Sequence, residues 1–235
     1  MNLILLFPED FIAPDRVLLS GRRLLHIRQV HRAKAGDELR VGLAGGDIGL
    51  GRVARLDDTA AELSVCFEQR PPPPLAATLV LALPRPKVLR RVLGTATAMG
   101  VKRLVLLNAL RVEKSFWQSP VLEPDALREN LILGLEQGCD TVLPEVLLRR
   151  RFRPFVEDEL PEISAGTLAL VGDPRATICC PRQVDGPVTL VVGPEGGFIP
   201  FETGLLEAAG VRPVHLGQRI LRVEAAVPAL LARLS

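Results

Sequence analysis

The chain has 235 residues, of which 48% are hydrophobic and 24% are charged, and its formal net charge is +2. This composition is typical of a globular protein with one large domain or two smaller ones, and so small a net charge by itself indicates no partner. The N-terminal apolar run is too short for a signal sequence and no segment is long enough to span a membrane, so we expect a cytoplasmic protein without membrane association.

The cysteines and histidines predict no metal site. None of the four cysteines lies at metal-ligand spacing, and the three histidines are not near a cysteine pair. Cys179 and Cys180 are adjacent and cannot easily bridge within an unstrained chain. We therefore expect reduced thiols and no bound metal.

A run of prolines in "RPPPP", residues 70–74, predicts a boundary between two domains, 1–70 and 75–235. The first domain is predicted to be small and rich in strands, with Gly and Asp turn signals between them. Its predicted strands cover 3–7, 37–43, 48–56 and 60–67, and its one predicted helix covers 21–33.

After the prolines, strands alternate with helices, which predicts an α/β fold. The strands are short and almost continuously apolar, as is typical of a parallel sheet buried on both faces. We predict strands at 77–83, 103–108, 166–172, 188–193 and 212–217, and helices at 87–100, 123–138, 200–210 and 224–234. Pro228 is compatible with the last helix only in its first turn.

Basic residues cluster at 16–40, 85–114 and 149–153. Such clusters can form a face that binds phosphates, or they can be the solvated faces of helices, and the pattern alone favours neither. The candidate phosphate contacts are Arg22, Arg23, Arg28, Arg32, Arg85, Lys87, Arg90 and Arg91.

Glycine follows three predicted strands, in "LVGDP", "VVGPEGGF" and "HLGQR". Ligands of open parallel sheets bind beyond the carboxyl ends of the strands, where glycine allows the backbone to approach them closely. The spacing in "GPEGGF" matches neither a Walker loop nor the dinucleotide fingerprint. One such loop would be a plain turn, whereas three at successive strand ends favour one shared ligand site.

The sequence "VVGPEGGF" followed by "LGQRILRVEAA" resembles the C-terminal signature of the RsmE family. These are SPOUT-class methyltransferases that methylate N3 of a uridine in small-subunit (16S) ribosomal RNA. Three weaker matches occur in the expected order: "HIRQVHRAKAGDELRVG", "TAMGVKRLVLL" and "LEQGCDTVLPEV". The resemblance thus covers nearly the whole chain.

The resemblance implies a PUA-like RNA-binding domain before the prolines and a SPOUT domain with a C-terminal trefoil knot after them. It also implies a homodimer, ribosomal RNA or the small ribosomal subunit as partner, and S-adenosylmethionine as cofactor. By the family's pattern, the cofactor contacts are Val171, Gly172, Gly193, Glu195, Gly196, Gly197, Leu216, Gly217, Ile220 and Leu221.

Transfer of a methyl group to N3 of uracil requires loss of the N3 proton. The resemblance therefore also implies a proton acceptor and a cation among the carboxylates and arginines of these motifs. Glu195 and Glu224 are the alternative proton acceptors, and Arg222 could stabilise the anion that develops on the uracil oxygens. Glu224 could equally be an acid at a helix N-terminus that interacts with the helix dipole.

The chain departs from the family's usual sequence at three notable positions. Val223 and Ala225 replace two threonines, and Asp140 stands where an arginine is common. These departures support one alternative, a non-catalytic RNA-binding homologue. A relative with a different RNA target and an α/β enzyme of small molecules also stay open, although the basic clusters at 16–40 and 85–114 count against the latter.

Overall fold

The computed structural model describes residues 2–235, which form two compact units. The first contains the chain up to Pro73 together with Ile132–Leu143, and the second contains Pro74–Leu131 and Pro144–Ser235. The first division in the chain therefore falls within the proline run.

The first unit is built on a six-stranded sheet in the order β1-β4-β5-β6-β3-β2, whose pairs are antiparallel except for the parallel pair β1–β4. The strands are β1 Ile4–Leu6, β2 Phe11–Ala13, β3 Arg16–Leu19, β4 Glu38–Leu43, β5 Ile48–Leu56 and β6 Ala61–Gln69. The sequence did not predict β2 and β3, because three or four residues are too few to show a period of two.

Two apolar clusters fill the first unit. One lies between the sheet and helix α1, Gly21–His26, which continues as a π-helical turn, Ile27–His31, and contributes Leu24 and Ile27. The other joins Leu3, Leu5 and Ile48 to Ile132 and Leu135. The segment Ile132–Leu143 follows the prolines in the chain, so a boundary drawn from chain order alone does not assign it to this unit.

The second unit contains a six-stranded sheet in the order β12-β10-β11-β7-β8-β9, and every neighbouring pair is parallel. Its strands are β7 Ala77–Ala82, β8 Arg103–Leu107, β9 Glu145–Arg149, β10 Leu168–Gly172, β11 Val188–Val192 and β12 Arg212–Val214. All five residues of β11 are buried, which explains why all of them except Thr189 are apolar. The predicted α/β class with a parallel sheet is confirmed.

The longer helices of the chain follow the predicted pattern, apart from one segment. They are α2 Pro86–Ala98, α3 Pro124–Gly138, α6 Pro200–Ala208 and α7 Val223–Leu234. The sequence did not predict β9 or the helical segment made of α4 Phe152–Pro154, a π-helical turn Phe155–Glu159 and α5 Leu160–Ile163. That segment carries two prolines and is interrupted too often to show a helical period. Single 3₁₀ turns occur at Pro8–Asp10, Lys114–Gln118 and Pro120–Leu122.

The placement of Pro228 in the first turn of the last helix was wrong. Helix α7 begins at Val223, so Pro228 lies inside it. Proline has no N–H, and the carbonyl of Glu224, four residues earlier, therefore loses its usual helical donor. Within residues 2–235, no helix is both long enough and apolar enough to cross a membrane.

Candidate active site

Four loops meet at one edge of the parallel sheet, because β12, β10, β11 and β7 are consecutive neighbours that run in the same direction. Their carboxyl ends therefore lie side by side. The loops that leave these ends contain Arg85 after β7, Asp173 after β10, Gly193–Gly197 after β11, and His215–Arg222 after β12. The three glycine-bearing loops of the sequence are thus brought together.

These loops enclose a cavity of about 490 Å³, which is within the usual range of small-molecule sites. The predicted site residues that line it are Gly172, Gly193, Glu195, Gly197, Leu216, Gly217, Ile220, Leu221, Arg222 and Glu224. Further lining residues, which the sequence did not single out as cofactor or catalytic residues, are Arg85, Val88, Asp173, Pro174, Val192, Pro194, Val214, His215, Arg219, Val223, Ala226 and Leu230.

Two predicted cofactor residues are not among those that line the cavity. Val171 is 1% exposed in the middle of the sheet, where it pairs with Val191 and Pro213. Gly196 faces the side chain of Arg111, which lies 3.1 Å from the position that a Cβ atom would occupy. Ile220 does line the cavity, yet its side chain is 80% exposed.

The loop Gly193–Gly197 needs glycine at two positions for different reasons. A Cβ atom on Gly193 would come within 3.2 Å of the Phe198 ring and 3.3 Å of the Phe198 backbone nitrogen, which is tighter than normal contact. Gly197 has a φ of +68°, a conformation that other residues rarely adopt. Its N–H donates to the carbonyl of Pro194 at 2.7 Å, which closes the turn.

Two contacts hold this loop from outside. The backbone N–H of Arg85 donates to Oε1 of Glu195 at 3.0 Å, and the guanidinium of Arg111 donates to the carbonyl of Gly196. Arg85 precedes helix α2, and Arg111 belongs to the loop after β8. The loop is therefore attached to two other parts of the second unit at consecutive residues.

Glu202 connects the start of helix α6 to the loop after β8, which contains Arg111. Its side chain is buried, and its carboxylate accepts hydrogen bonds from the backbone N–H of Ile199 at 3.0 Å and of Leu110 at 2.7 Å. The first contact caps helix α6. Proline at the first position of that helix and glutamate at the third are a recognisable N-terminal signal, but the contact with Leu110 is not visible in local sequence.

Glu224 and Arg222 lie where the loop after β12 enters helix α7. Arg222 is the N-cap residue of that helix and is exposed, and Glu224 is in its first turn. A carboxylate oxygen of Glu224 lies 3.8 Å from the guanidinium of Arg91 on α2, and the Glu224 side chain is 21% exposed. Its position also allows the predicted interaction with the helix dipole.

Asp173 is a further carboxylate in the cavity, and it was not among the predicted site residues. It lines the cavity after β10, and Arg175 donates to both of its carboxylate oxygens, at distances of 2.9–3.1 Å. Hydrogen bonds from Arg175 lower the pKa of Asp173 below its usual value, although partial burial opposes the shift. An acid immediately after the glycine of a strand end, as in "LVGDP", was the available sequence signal.

Three of the predicted phosphate contacts in the first unit are paired with carboxylates. Arg22 forms a double hydrogen bond with the fully buried carboxylate of Glu136, at 2.8 and 3.2 Å. Arg23 binds both oxygens of buried Asp10 at 2.5 Å, and Arg28 pairs with Asp58 at 2.6 Å. Arg22 and Arg23 therefore stabilise the first unit by pairing with two buried carboxylates.

The other predicted phosphate contacts are exposed, as are Arg22 and Arg28. Arg32 ends the π-helical turn with a φ of 52°. Arg85 lines the cavity, Lys87 and Arg90 lie on α2, and Arg91 on the same helix is the partner of Glu224. In the part of the chain that the structure describes, no group of three His, Cys, Asp or Glu side chains could hold a metal ion.

Comparison with known proteins shows which family the domain around this cavity belongs to. A family model described as an RNA methyltransferase domain matches residues 71–235, more than half of the chain. The chain belongs to this family. The match begins at the proline run and contains every residue that lines the cavity.

The similarity of this RNA methyltransferase domain protein to known relatives extends over nearly its whole length. It is 29% identical over 241 residues to ribosomal RNA small subunit methyltransferase E of Treponema pallidum, covering 99% of this chain and 90% of the relative. It is 25% identical over 250 residues to the protein of the same name from Synechocystis, covering 95% and 76%. The resemblance to the RsmE family is thereby confirmed, at modest identity.

A solved structure has the same fold. The crystal structure of ribosomal RNA small subunit methyltransferase E from Neisseria gonorrhoeae, bound to S-adenosylmethionine, superposes with a TM-score of 0.76 at 22% identity. The match covers 99% of this chain and 95% of that one, so both units of the RNA methyltransferase are included.

Proposed function

We propose that this protein is an S-adenosylmethionine-dependent methyltransferase that methylates N3 of a uridine in small-subunit ribosomal RNA. The observation that carries the proposal is the cavity at the carboxyl ends of β10, β11 and β12, which is built from the two signature segments of the family. Relatives named for methylation of small-subunit ribosomal RNA support the substrate class.

The cavity suits the proposed cofactor. Its wall is apolar at Val192, Val214 and Leu230, which gives a surface for the adenine ring, and its glycine loops offer backbone N–H and carbonyl groups. A related protein of the same fold was crystallised with S-adenosylmethionine. When bound, S-adenosylmethionine supplies an electrophilic methyl group.

In the proposed mechanism, Glu224 accepts the N3 proton of the target uridine. This carboxylate lines the cavity, lies in the first turn of α7 and is 3.8 Å from the guanidinium of Arg91, so it is within reach of a bound substrate. Arg222 lies two residues away with an exposed guanidinium, and it stabilises the negative charge that develops on the uracil oxygens.

The remaining parts of the proposal concern RNA and assembly. We assign the first unit the role of a PUA-like RNA-binding domain, and the second that of a SPOUT domain with a C-terminal trefoil knot, acting as a homodimer in the cytoplasm. Exposed Arg32, Arg85, Lys87 and Arg90 are the proposed phosphate contacts. Binding through them should weaken as salt concentration rises.

Mass spectrometry of small-subunit ribosomal RNA, from cells with and without the gene, tests the proposal. We expect one 3-methyluridine to be lost on deletion and restored by the purified protein with S-adenosylmethionine. A missing methyl group at another nucleotide would indicate a different RNA target. An unchanged modification pattern would instead favour a non-catalytic homologue.

A further inference from the structure

We infer that Glu195 is a positioning residue that anchors the loop Gly193–Gly197 to the N-terminus of helix α2, and that it is not the proton acceptor. The inference rests on the proposed function and assigns separate roles to the two glutamates of the signature segments. It follows from the hydrogen bond between Oε1 of Glu195 and the backbone N–H of Arg85, at 3.0 Å.

Helix α2 lacks a cap of its own, which explains what this carboxylate contributes. Arg85 is the N-cap residue and its side chain makes no capping hydrogen bond. In a capping box, a glutamate at the third helical position accepts a hydrogen bond from the N-cap N–H. The third residue of α2 is Val88, which cannot do so, and Glu195 supplies this acceptor from a loop 110 residues away.

The same contact fixes a wall of the cavity. Both Arg85 and Glu195 line it, and the neighbouring carbonyl of Gly196 is held by the guanidinium of Arg111. The two contacts attach consecutive residues of the loop to different parts of the unit. Without the Glu195 anchor, the loop Gly193–Gly197 keeps only the Arg111 contact and its own turn hydrogen bond, so it is less ordered and binding of the cofactor then has to order it.

Glu224 differs from Glu195 in its attachment. It has an ion-pair distance of 3.8 Å to Arg91, beyond hydrogen-bond length, whereas one oxygen of Glu195 is committed to a backbone donor. A proton acceptor must reach its substrate, and a positioning group must keep its partner. The contacts therefore give proton transfer to Glu224 and loop placement to Glu195.

Three substitutions at residue 195 separate the two roles, because loop anchoring and proton acceptance predict different orders of activity and cofactor affinity for the variants. Glu195→Gln keeps an acceptor oxygen at the same reach but cannot take a proton at neutral pH. Glu195→Asp keeps the carboxylate but is one methylene shorter, and Glu195→Ala removes both. If Glu195 anchors the loop, Gln is the conservative change, whereas Asp is the conservative change if basicity matters.

Calorimetry measures the Kd for S-adenosylmethionine without RNA, and methyl transfer to small-subunit RNA gives kcat and its pH profile. We expect E195Q to stay within about threefold of wild type in Kd and kcat, and E195D and E195A to raise Kd by about tenfold or more. At saturating cofactor, all three should keep the wild-type pH profile. Glu207→Gln and Glu207→Ala, at an exposed position on α6, are the matched controls.

Two results would overturn the inference. One is a loss of turnover of about 100-fold or more in E195Q, with cofactor binding retained and with E195D more active than E195Q. The other is wild-type Kd in E195D and E195A, even if their Tm falls. If the wild-type protein binds cofactor but methylates no RNA, the proposed function fails, while the order of the Kd values still decides the anchor.

Discussion

Removal of the Glu202 carboxylate should destabilise the second unit substantially. This side chain is 4% exposed and accepts two backbone hydrogen bonds, from Ile199 at 3.0 Å and from Leu110 at 2.7 Å. A hydrogen bond to a charged group contributes about 1.5–3 kcal/mol. Both donors are only partly buried and water can reach them after the substitution, so we take the lower value for each.

Glu202→Ala is therefore expected to cost about 3 kcal/mol, and Glu202→Gln about half of that because one acceptor oxygen remains. For a chain of this size, 3 kcal/mol corresponds to a fall in Tm of about 6–12 °C. The loop after β8 also loses its attachment at Leu110. Since Arg111 of that loop holds Gly196, the affinity for S-adenosylmethionine should fall as well.

The single tryptophan makes this measurement specific to one unit. Trp117 is 7% exposed and belongs to the second unit, so its fluorescence in a urea titration reports the unfolding of that unit. Glu207→Ala on the same helix is the control and should change the free energy of unfolding by less than about 0.5 kcal/mol. A loss below about 1 kcal/mol in E202A would refute the reasoning from its two hydrogen bonds.

Three further predictions concern charged groups. Glu224→Gln and Arg222→Ala should each lower kcat for methyl transfer by about 100-fold or more, while the Kd for cofactor stays within about threefold of wild type. Unchanged turnover in both variants would contradict the roles assigned to these residues. Arg22→Ala should destabilise the first unit by about 2 kcal/mol, because buried Glu136 loses its cation, whereas Arg32→Ala should change stability little. Equal stabilities of the two variants in a urea titration followed by far-UV circular dichroism would contradict this. Because Arg175 lowers the pKa of Asp173 in the folded state, the Tm of wild type should exceed that of Asp173→Asn above about pH 4. This difference in Tm should disappear as the pH falls through the lowered pKa of Asp173. A difference that persists in acid would contradict the prediction.

The sequence predicted the parallel sheet well because its strands are buried on both faces. β7, β10 and β11 are almost continuously apolar, and that pattern depends only on local sequence. β2 and β9 are edge strands, and their short, partly exposed segments carry no comparable pattern. The order of the strands was also beyond local sequence, although it brings the glycine loops to one edge.

The cavity was predictable from glycine at three strand ends, but the partners of its charged residues were not. Glu195 binds a backbone group 110 residues away, and Glu202 binds one 92 residues away. Arg22 is similar, because its partner Glu136 lies 114 residues further along the chain. Charge patterns give the number of cations in a segment and do not give the partner of each one.

The three departures from the family signature do not fall on charged groups of the cavity. Val223 is 6% exposed in the cavity wall, where valine fills nearly the volume of threonine, and Ala225 is exposed on α7. Asp140 is 2% exposed in the first unit, where one oxygen accepts from the backbone N–H groups of Thr141 and Val142 and so holds the chain that follows α3. Since none of the three substitutions removes a carboxylate or an arginine from the cavity, this pattern favours a working methyltransferase over a homologue that only binds RNA.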